Sequence, residues 1–344
     1  MSKHLYIEPR TLHFRQPAGT SRGVYRTRPI WLLRLTDDEL PDREGIGECA
    51  PLPDLSCDFT PDYEQRLREL CLYTEKRGFI DDKLMRPYPS MLFGLETAFL
   101  HYYRNSTALF DTPFARGEEG ITINGLVWMG SFDEMNARME EKLRLGFRCV
   151  KLKIGAIDFE SELELIRRIR QRFSAADVEL RVDANGAFSP ADALEKLERL
   201  ARFDLHSIEQ PIRQRQWTEM ARLCRQTPLP IALDEELIGV NQREAKMQLL
   251  DTIRPQYIVL KPSLHGGMVG TAEWIGLARL RGIGFWVTSA LESNIGLNAI
   301  AHFTASICPS ILAWPHGLGT GQLFTDNIPM PLAIRGDQLY YTAP

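Results

Sequence analysis

Several protein classes are excluded by what the 344 residues lack. No apolar run approaches 18 residues, so no segment reads as a membrane-spanning helix. The first residues, MSKHLYIEPR, lack the apolar core of a secretory signal, and the cytoplasm is the expected compartment. Neither sign of charge dominates: 41 Lys and Arg stand against 45 Asp and Glu, a net charge of -4. With no basic stripe, nucleic acid is not an expected partner. Six cysteines are present (Cys49, Cys57, Cys71, Cys149, Cys224 and Cys308), but none forms CxxC and none clusters at zinc-ligand spacing. They read as reduced, mostly buried thiols. No strand–GxGxxG–helix unit occurs, which removes the support for a dinucleotide fold.

What is there is an ordinary globular composition, 44% hydrophobic and 25% charged, at a length suited to two domains. HLYIEPRTLHF and RPIWLLRLTD have the residue types of antiparallel strands. The polar segment between them reads as an exposed loop. Helices are expected from Asp62 to Lys76 and from Ser90 to Arg104. From about Ile121 strands and helices alternate. The strands are ITINGLV, CVKLKI, VELRVD, HSIEQ, PIALDE, YIVLKP, GFWVTSA and SILAW, with seven helices between them. Ser189 reads as the cap of one of these helices, with Pro190 at its first position. Such alternation implies parallel strands, and eight of them suit a closed barrel. The expected architecture is a (β/α)7β TIM-type barrel over 116–320. An α+β capping domain over 1–115 joins it, together with the returning segment 321–344.

In such barrels the chemistry lies at the C-terminal ends of the strands. Those ends carry Lys151 and Lys153; Arg181, Asp183 and Asn185; Glu209; Asp234 and Glu235; Lys261; and Ser289 with Glu292. Side chains alternate along a strand, so Lys151 shares a face with Lys153, and Arg181 with Asp183. Asp183, Glu209 and Asp234 recur at intervals of 26 and 25 residues, one strand–helix unit each. A single strand-end Asp is most simply a helix cap. Three in register, with no His or Cys beside them, suit a hard cation: Mg²⁺ first, Mn²⁺ as the alternative. Lys153 and Lys261 flank the acids from strands two and six. A second cation, with Lys151 the natural neighbour, and burial are expected to lower a lysine pKa toward neutrality. Such a base beside a metal suits removal of a proton α to a carboxylate.

At these residues the chain resembles the enolase superfamily, in its muconate-lactonising subgroup. The matching motifs are Lys151-Leu152-Lys153, Arg181-Val182-Asp183-Ala184-Asn185, Ile208-Glu209-Gln210-Pro211, Leu233-Asp234-Glu235 and Val259-Leu260-Lys261-Pro262. The resemblance covers essentially the whole chain. It implies that Lys153 and Lys261 are the acid/base pair and that Asp183, Glu209 and Asp234 hold the metal. Asn185 and Glu235 then orient ligands and lysines. GECAPLPDLSCD, SALESNIGLNAIAHF and GLGTGQLFTDN resemble the branch that dehydrates 2-succinyl-6-hydroxy-2,4-cyclohexadiene-1-carboxylate in menaquinone synthesis. A small carboxylate is thus the implied partner, and self-association into a homo-oligomer stays open. Arg181 is expected to help order metal or substrate, or else to form a salt bridge inside the barrel. Ser289, Glu292 and the turn Gly319-Thr320-Gly321 are expected to line the pocket, and the segments 16–28 and 51–58 to cover it.

An epimerase or racemase of the same superfamily, such as one acting on N-succinylamino acids, would use the same lysines on opposite faces of a carbon. The DxD motif usual near strand eight of dipeptide epimerases is absent from Ala313-Trp314-Pro315-His316-Gly317. No His stands at the strand ends where sugar-acid dehydratases carry their bases. A non-catalytic binding barrel would need neither lysine.

Overall fold

The computed structural model describes residues 3–20, 23–307 and 314–342. Three antiparallel strands come first, in the order β1 (Lys3–Thr20), β2 (Gly23–Asp37), β3 (Glu44–Cys49). The polar stretch expected as a loop is mostly strand instead. Pairing continues through Leu12↔Arg28 and, after a register shift, through Ala18↔Tyr25. Continued ladder bonding satisfies this stretch's backbone polar groups without needing an apolar face.

Helices α1 (Tyr63–Arg77), α2 (Asp82–Met85) and α3 (Pro89–Arg104) follow. The sequence reading places the first and third within a residue at either end. Strand β3 lies directly on α3, which its glycines permit. A Cβ on Gly47 would stand 2.0 Å from the carbonyl of Gly94, and one on Gly45 2.1 Å from that of Ala98. Leu33, Leu35, Leu67, Leu70, Met91, Leu95 and Ala98 form the core of this cap.

The alternating region begins with β4 (Ile121–Thr122) and β5 (Gly125–Val127), the two halves of one expected strand. Then come α4 (Phe132–Arg144), β6 (Cys149–Lys153), α5 (Phe159–Arg172), β7 (Glu179–Asp183), α6 (Ala193–Ala201), β8 (Ser207–Glu209) and α7 (Trp217–Gln226). The series ends with β9 (Ile231–Leu233), α8 (Arg243–Ile253), β10 (Tyr257–Leu260), α9 (Gly267–Arg279), β11 (Gly284–Val287) and α10 (Asn294–Ile307). The strands run parallel in the order β11-β10-β9-β8-β7-β6-β5. Single parallel bridges, Thr288↔Gly317 and Ile123↔His316, join the two edges of this sheet. The segment at His316 and Gly317 therefore takes the eighth place and closes a (β/α)7β barrel. Of the strand expected there, residues 310–313 lie outside the described residues. The helix expected from Pro190 begins at Ala193, although the Asp192 N–H does donate to the Ser189 hydroxyl, at 3.4 Å.

The tail divides its contacts, which corrects its assignment wholly to the cap. Phe324 bridges Phe14 of β1. The last hairpin, β12 (Leu332–Arg335) and β13 (Gln338–Tyr341), instead pairs with β4, and Leu339 and Tyr341 join the barrel core. Among the described residues no helix is long and apolar enough to cross a membrane.

Candidate active site

Strand register brings the charged residues together. Lys151 pairs with Arg181, and Lys153 pairs with Asp183, which pairs with Glu209. Lys153, Asp183 and Glu209 thus form one row across three strands. Asp234 and Lys261 each follow the last residue of their strand, β9 and β10. Strands β6 and β10 are four steps apart in an eight-membered ring, so Lys153 and Lys261 face each other across the barrel mouth.

The three acids are fully buried beneath the lysines. Lys153 Nζ donates to Asp183 Oδ2 at 2.6 Å and to Asn185 Oδ1 at 2.8 Å. Lys151 Nζ bridges Asp183 Oδ2 and both Glu209 oxygens, each at 3.1 Å. Lys261 Nζ donates to Asp234 Oδ2. Asn185 in turn donates from Nδ2 to Glu235 Oε1 at 2.9 Å. Gln210 Oε1 accepts from the N–H groups of Asp234 and Glu236, both at 3.2 Å. Asn185 and Gln210 have φ of +45° and +40°, left-handed backbone within two residues of two strand ends. Such strain persists where surrounding contacts over-determine the conformation, as they do here.

The electrostatics differ from the expectation of a lysine tuned down. Burial lowers the pKa of Lys151, but the charges of Glu209, Asp183 and Asp234 outweigh it and hold the ammonium well above its ordinary value. Lys261 is raised for the same reason, chiefly by Asp234 after burial is overcome. Burial also opposes ionisation of Asp183, yet Lys153 and Lys151 hold it far below the usual carboxylate range. Glu209 goes the other way, pushed well up by burial and by Asp183 and Asp234 on either side. Three acids in one desolvated spot need more positive charge than the strand ends share evenly.

Among the described residues no three acidic, His or Cys side chains converge as a preformed metal cage, because ammonium groups stand between the acids. The donor set nonetheless fits a hard divalent cation. Asp234 Oδ1 is buried with no hydrogen-bond partner, a carboxylate acceptor left over for a cation. All three side chains offer carboxylate oxygens, the ligand type such cations take.

Above the acids opens a cleft of about 260 Å³. Of the expected site residues, Lys151, Lys153, Asn185, Glu235, Lys261, Ser289, Gly319 and Thr320 line it. Thr320 donates its hydroxyl to Ser289 Oγ at 2.9 Å, joining two loops of the rim. Arg181 and Glu292 do not line it, which corrects both as substrate contacts. Arg181 lies one inward layer deeper, donating to Glu179 Oε1 (2.7 Å) and the Pro315 carbonyl (2.9 Å) and stacking on Trp286 at 4.2 Å. It is the internal salt bridge of the two alternatives. Glu292 turns back to accept from Ser263 Oγ and from the Ala290 N–H at 2.7 Å, bracing its own loop.

Individual residues missed by sequence reasoning come mainly from the cap and loops: Gln16, Tyr25, Leu52, Leu55, Trp128 and Leu291. The sequence marks some of their segments, but no local spacing distinguishes a cleft leucine from a core one. Two braces also escape sequence reasoning. Glu162 of α5 accepts from the Gly155 N–H at 2.6 Å, fastening the loop after Lys153, and burial raises its pKa to about 7. His265 Nδ1 accepts from the Lys261 N–H at 2.9 Å.

A (β/α)7β barrel with opposed lysines over three strand-end acids defines an enolase-type enzyme. The family comparison agrees: residues 134–340 match the model described as enolase C-terminal domain-like, and the chain belongs to that family. It is 48% identical to the o-succinylbenzoate synthase of Desulfotalea psychrophila, over 95% of this chain and 96% of that protein. The crystal structure of MenC from the same organism superposes with a TM-score of 0.83 at 42% identity, covering 99% of this chain and 100% of that one. Similarity to the L-Ala-D/L-Glu epimerase of Bacillus subtilis is 30%, over 52% of this chain and 49% of that protein.

Proposed function

We propose that the protein is an o-succinylbenzoate synthase. It dehydrates 2-succinyl-6-hydroxy-2,4-cyclohexadiene-1-carboxylate to o-succinylbenzoate, a step toward menaquinone. The observation that carries this reading is the placement of Lys153 and Lys261 facing each other across the barrel mouth over Asp183, Glu209 and Asp234. The extent of the similarity to an o-succinylbenzoate synthase supports the choice of reaction.

In this reading neutral Lys153 Nζ takes the proton from the ring carbon that bears the carboxylate. The same nitrogen then gives that proton to the departing hydroxyl on the same face. The C–H and C–O bonds break, water leaves, the ring becomes aromatic, and Lys153 ends neutral as it began. Asn185, whose Oδ1 holds Lys153 Nζ at 2.8 Å, fixes where the nitrogen points. Lys261 remains an ammonium on the opposite face and opposes the negative charge that develops there. A divalent cation on the three acids, Mg²⁺ by their hardness, would supply further positive charge to the substrate carboxylate as the α-proton leaves. The setting is cytoplasmic, in keeping with the five free cysteines among the described residues.

The test is direct. Purified protein with Mg²⁺ is mixed with the cyclohexadiene acid and followed by ultraviolet absorbance. Conversion to o-succinylbenzoate is expected, and unchanged absorbance with metal-loaded protein overturns the reading. A second reading rests on the same opposed lysines, because two faces are what a two-base racemisation needs. N-succinylamino acids incubated in D₂O would then exchange their α-proton with inversion.

A further inference from the structure

Arg28 of β2 is fully buried, yet among the described residues no carboxylate hydrogen-bonds its guanidinium. It is directed at four backbone carbonyls. Nη2 donates to Ala50 at 2.5 Å and to Ala290 at 3.1 Å, Nε donates to Leu291 at 3.0 Å, and Nη1 donates to Pro51. Two of these carbonyls belong to the cap, in the segment after β3. The other two belong to the barrel, in the loop after β11. Glu48 and Glu292 offset the charge from a distance, but their oxygens are taken by Ser293, Gly296, Ser263 and Ala290.

Burying a guanidinium is costly unless its donors are used, and only a planar fork reaches four carbonyls at once. The two segments it joins supply facing parts of the cleft: Leu52 and Leu55 from the cap, Ser289 to Leu291 from the barrel. Leu291 has a φ of +64°, a conformation a leucine rarely holds unless its surroundings impose it. Its carbonyl is the one that Arg28 Nε holds.

We propose that Arg28 is a positioning residue that locks the cap segment Ala50–Leu55 to the barrel loop Ser289–Leu291. It thereby sets how tightly the cleft grips the succinyl arm, the part of the substrate that extends away from the lysines. The identity of that arm rests on the proposed dehydration. Arg28 touches no reacting atom, so it acts on binding and leaves the proton transfer alone.

The experiment compares Arg28→Met and Arg28→Lys with the wild-type chain, all Mg²⁺-loaded. Steady-state kinetics and calorimetric titration of o-succinylbenzoate are measured together. Arg28→Met is expected to raise KM and the product Kd about tenfold with kcat within about threefold, the pattern of lost uniform binding. Arg28→Lys is expected to recover part of that loss, since an ammonium keeps the charge but not the four-way reach. Unchanged KM and Kd in Arg28→Met, or a fall in kcat at constant KM, overturns the proposal. If Arg28→Met does not fold, Arg28→Lys decides, and wild-type KM and Kd in that variant overturn the proposal. A wild-type chain without turnover would sink the dehydration reading, and the lock would then be read by amide hydrogen exchange. Faster exchange in 50–56 and 289–293 together, with β6 and β10 still protected, supports the lock; unchanged exchange overturns it.

Discussion

The two walls of the cleft are built on different principles. Around the strand ends from β6 to β10, charged groups sit on or just after consecutive strands, and each side chain is held by another charge. On the far side, leucines, a tyrosine and short polar loops meet across the cap–barrel seam. The first wall has its geometry set by a parallel sheet, whose register moves only in whole residues. The second depends on how two independent cores, one under α3 and one in the barrel, settle against each other. Under the proposed function, precision for chemistry falls on the rigid side, and shape for the substrate on the adjustable one.

The largest expected effect breaks the first wall. Lys153→Ala should lower kcat on the order of 10³-fold or more, as loss of a positioned base does, with the circular-dichroism spectrum of the fold unchanged. A rate near wild type would remove Lys153 as the base. Next comes Asp234→Asn, which alters the acid whose Oδ1 has no partner. A fall of at least about 10²-fold in kcat is expected, with a weaker thermal shift on adding Mg²⁺. An undiminished Mg²⁺ shift would mean that Asp234 is not a ligand.

The far wall should respond differently. Leu55→Ala is expected to raise KM about fivefold while kcat holds, since an apolar pocket discriminates by only a few kcal/mol. A drop in kcat instead would show that the two walls are mechanically coupled. Arg181→Met should change kcat/KM by less than about threefold, because its contacts are Glu179, Pro315 and Trp286, below the cleft. A large KM effect there would return Arg181 to the substrate.

This contrast explains what could be read in the sequence. The intervals from Asp183 to Glu209 to Asp234 survive folding because each strand–helix unit adds one barrel step, so linear spacing becomes angular position. Lys151 and Lys153 are legible because alternation sends both inward. The same rule misleads at Arg181, which shares the face of Asp183 but lies one layer lower, where an inward charge meets the barrel interior instead of the cleft. Glu292 misleads because a loop has no alternation rule, and its carboxylate folds back on Ala290. Leu52, Leu55 and Arg28 act through contacts between segments far apart in the chain, such as Arg28 with Leu291. No local pattern encodes such a pairing. The terminal hairpin escapes notice for a similar reason: its partner is the two-residue strand β4.

The smallest effect sharpens the comparison at the level of one carboxylate. Asp183 is buried among lysines and is held ionised. Glu96 of α3 is half-buried at the start of α9, where the N–H groups of Met268 and Val269 donate to it at 2.5 and 3.0 Å without a lysine. Burial prevails over those two bonds and raises its pKa to about 7. The folded protein therefore binds more protons than the unfolded chain between the ordinary Glu value and about pH 7. Stability from this group is complete below that ordinary value and falls as pH rises through the window. Glu96→Gln removes the titration while keeping an acceptor oxygen. Relative to wild type, the variant should gain at most about 3 kcal/mol on going from acid to mildly alkaline pH, the linkage free energy of a carboxyl that titrates this much later in the fold than in the unfolded chain. Urea unfolding of both proteins at about pH 5 and about pH 8, on either side of most of that window, reads the difference directly. Parallel behaviour would mean that Glu96 is ionised in the fold. Two backbone N–H groups at a helix start would then suffice to hold a half-buried carboxylate charged, whereas Asp183 keeps its lysines in a fully buried site.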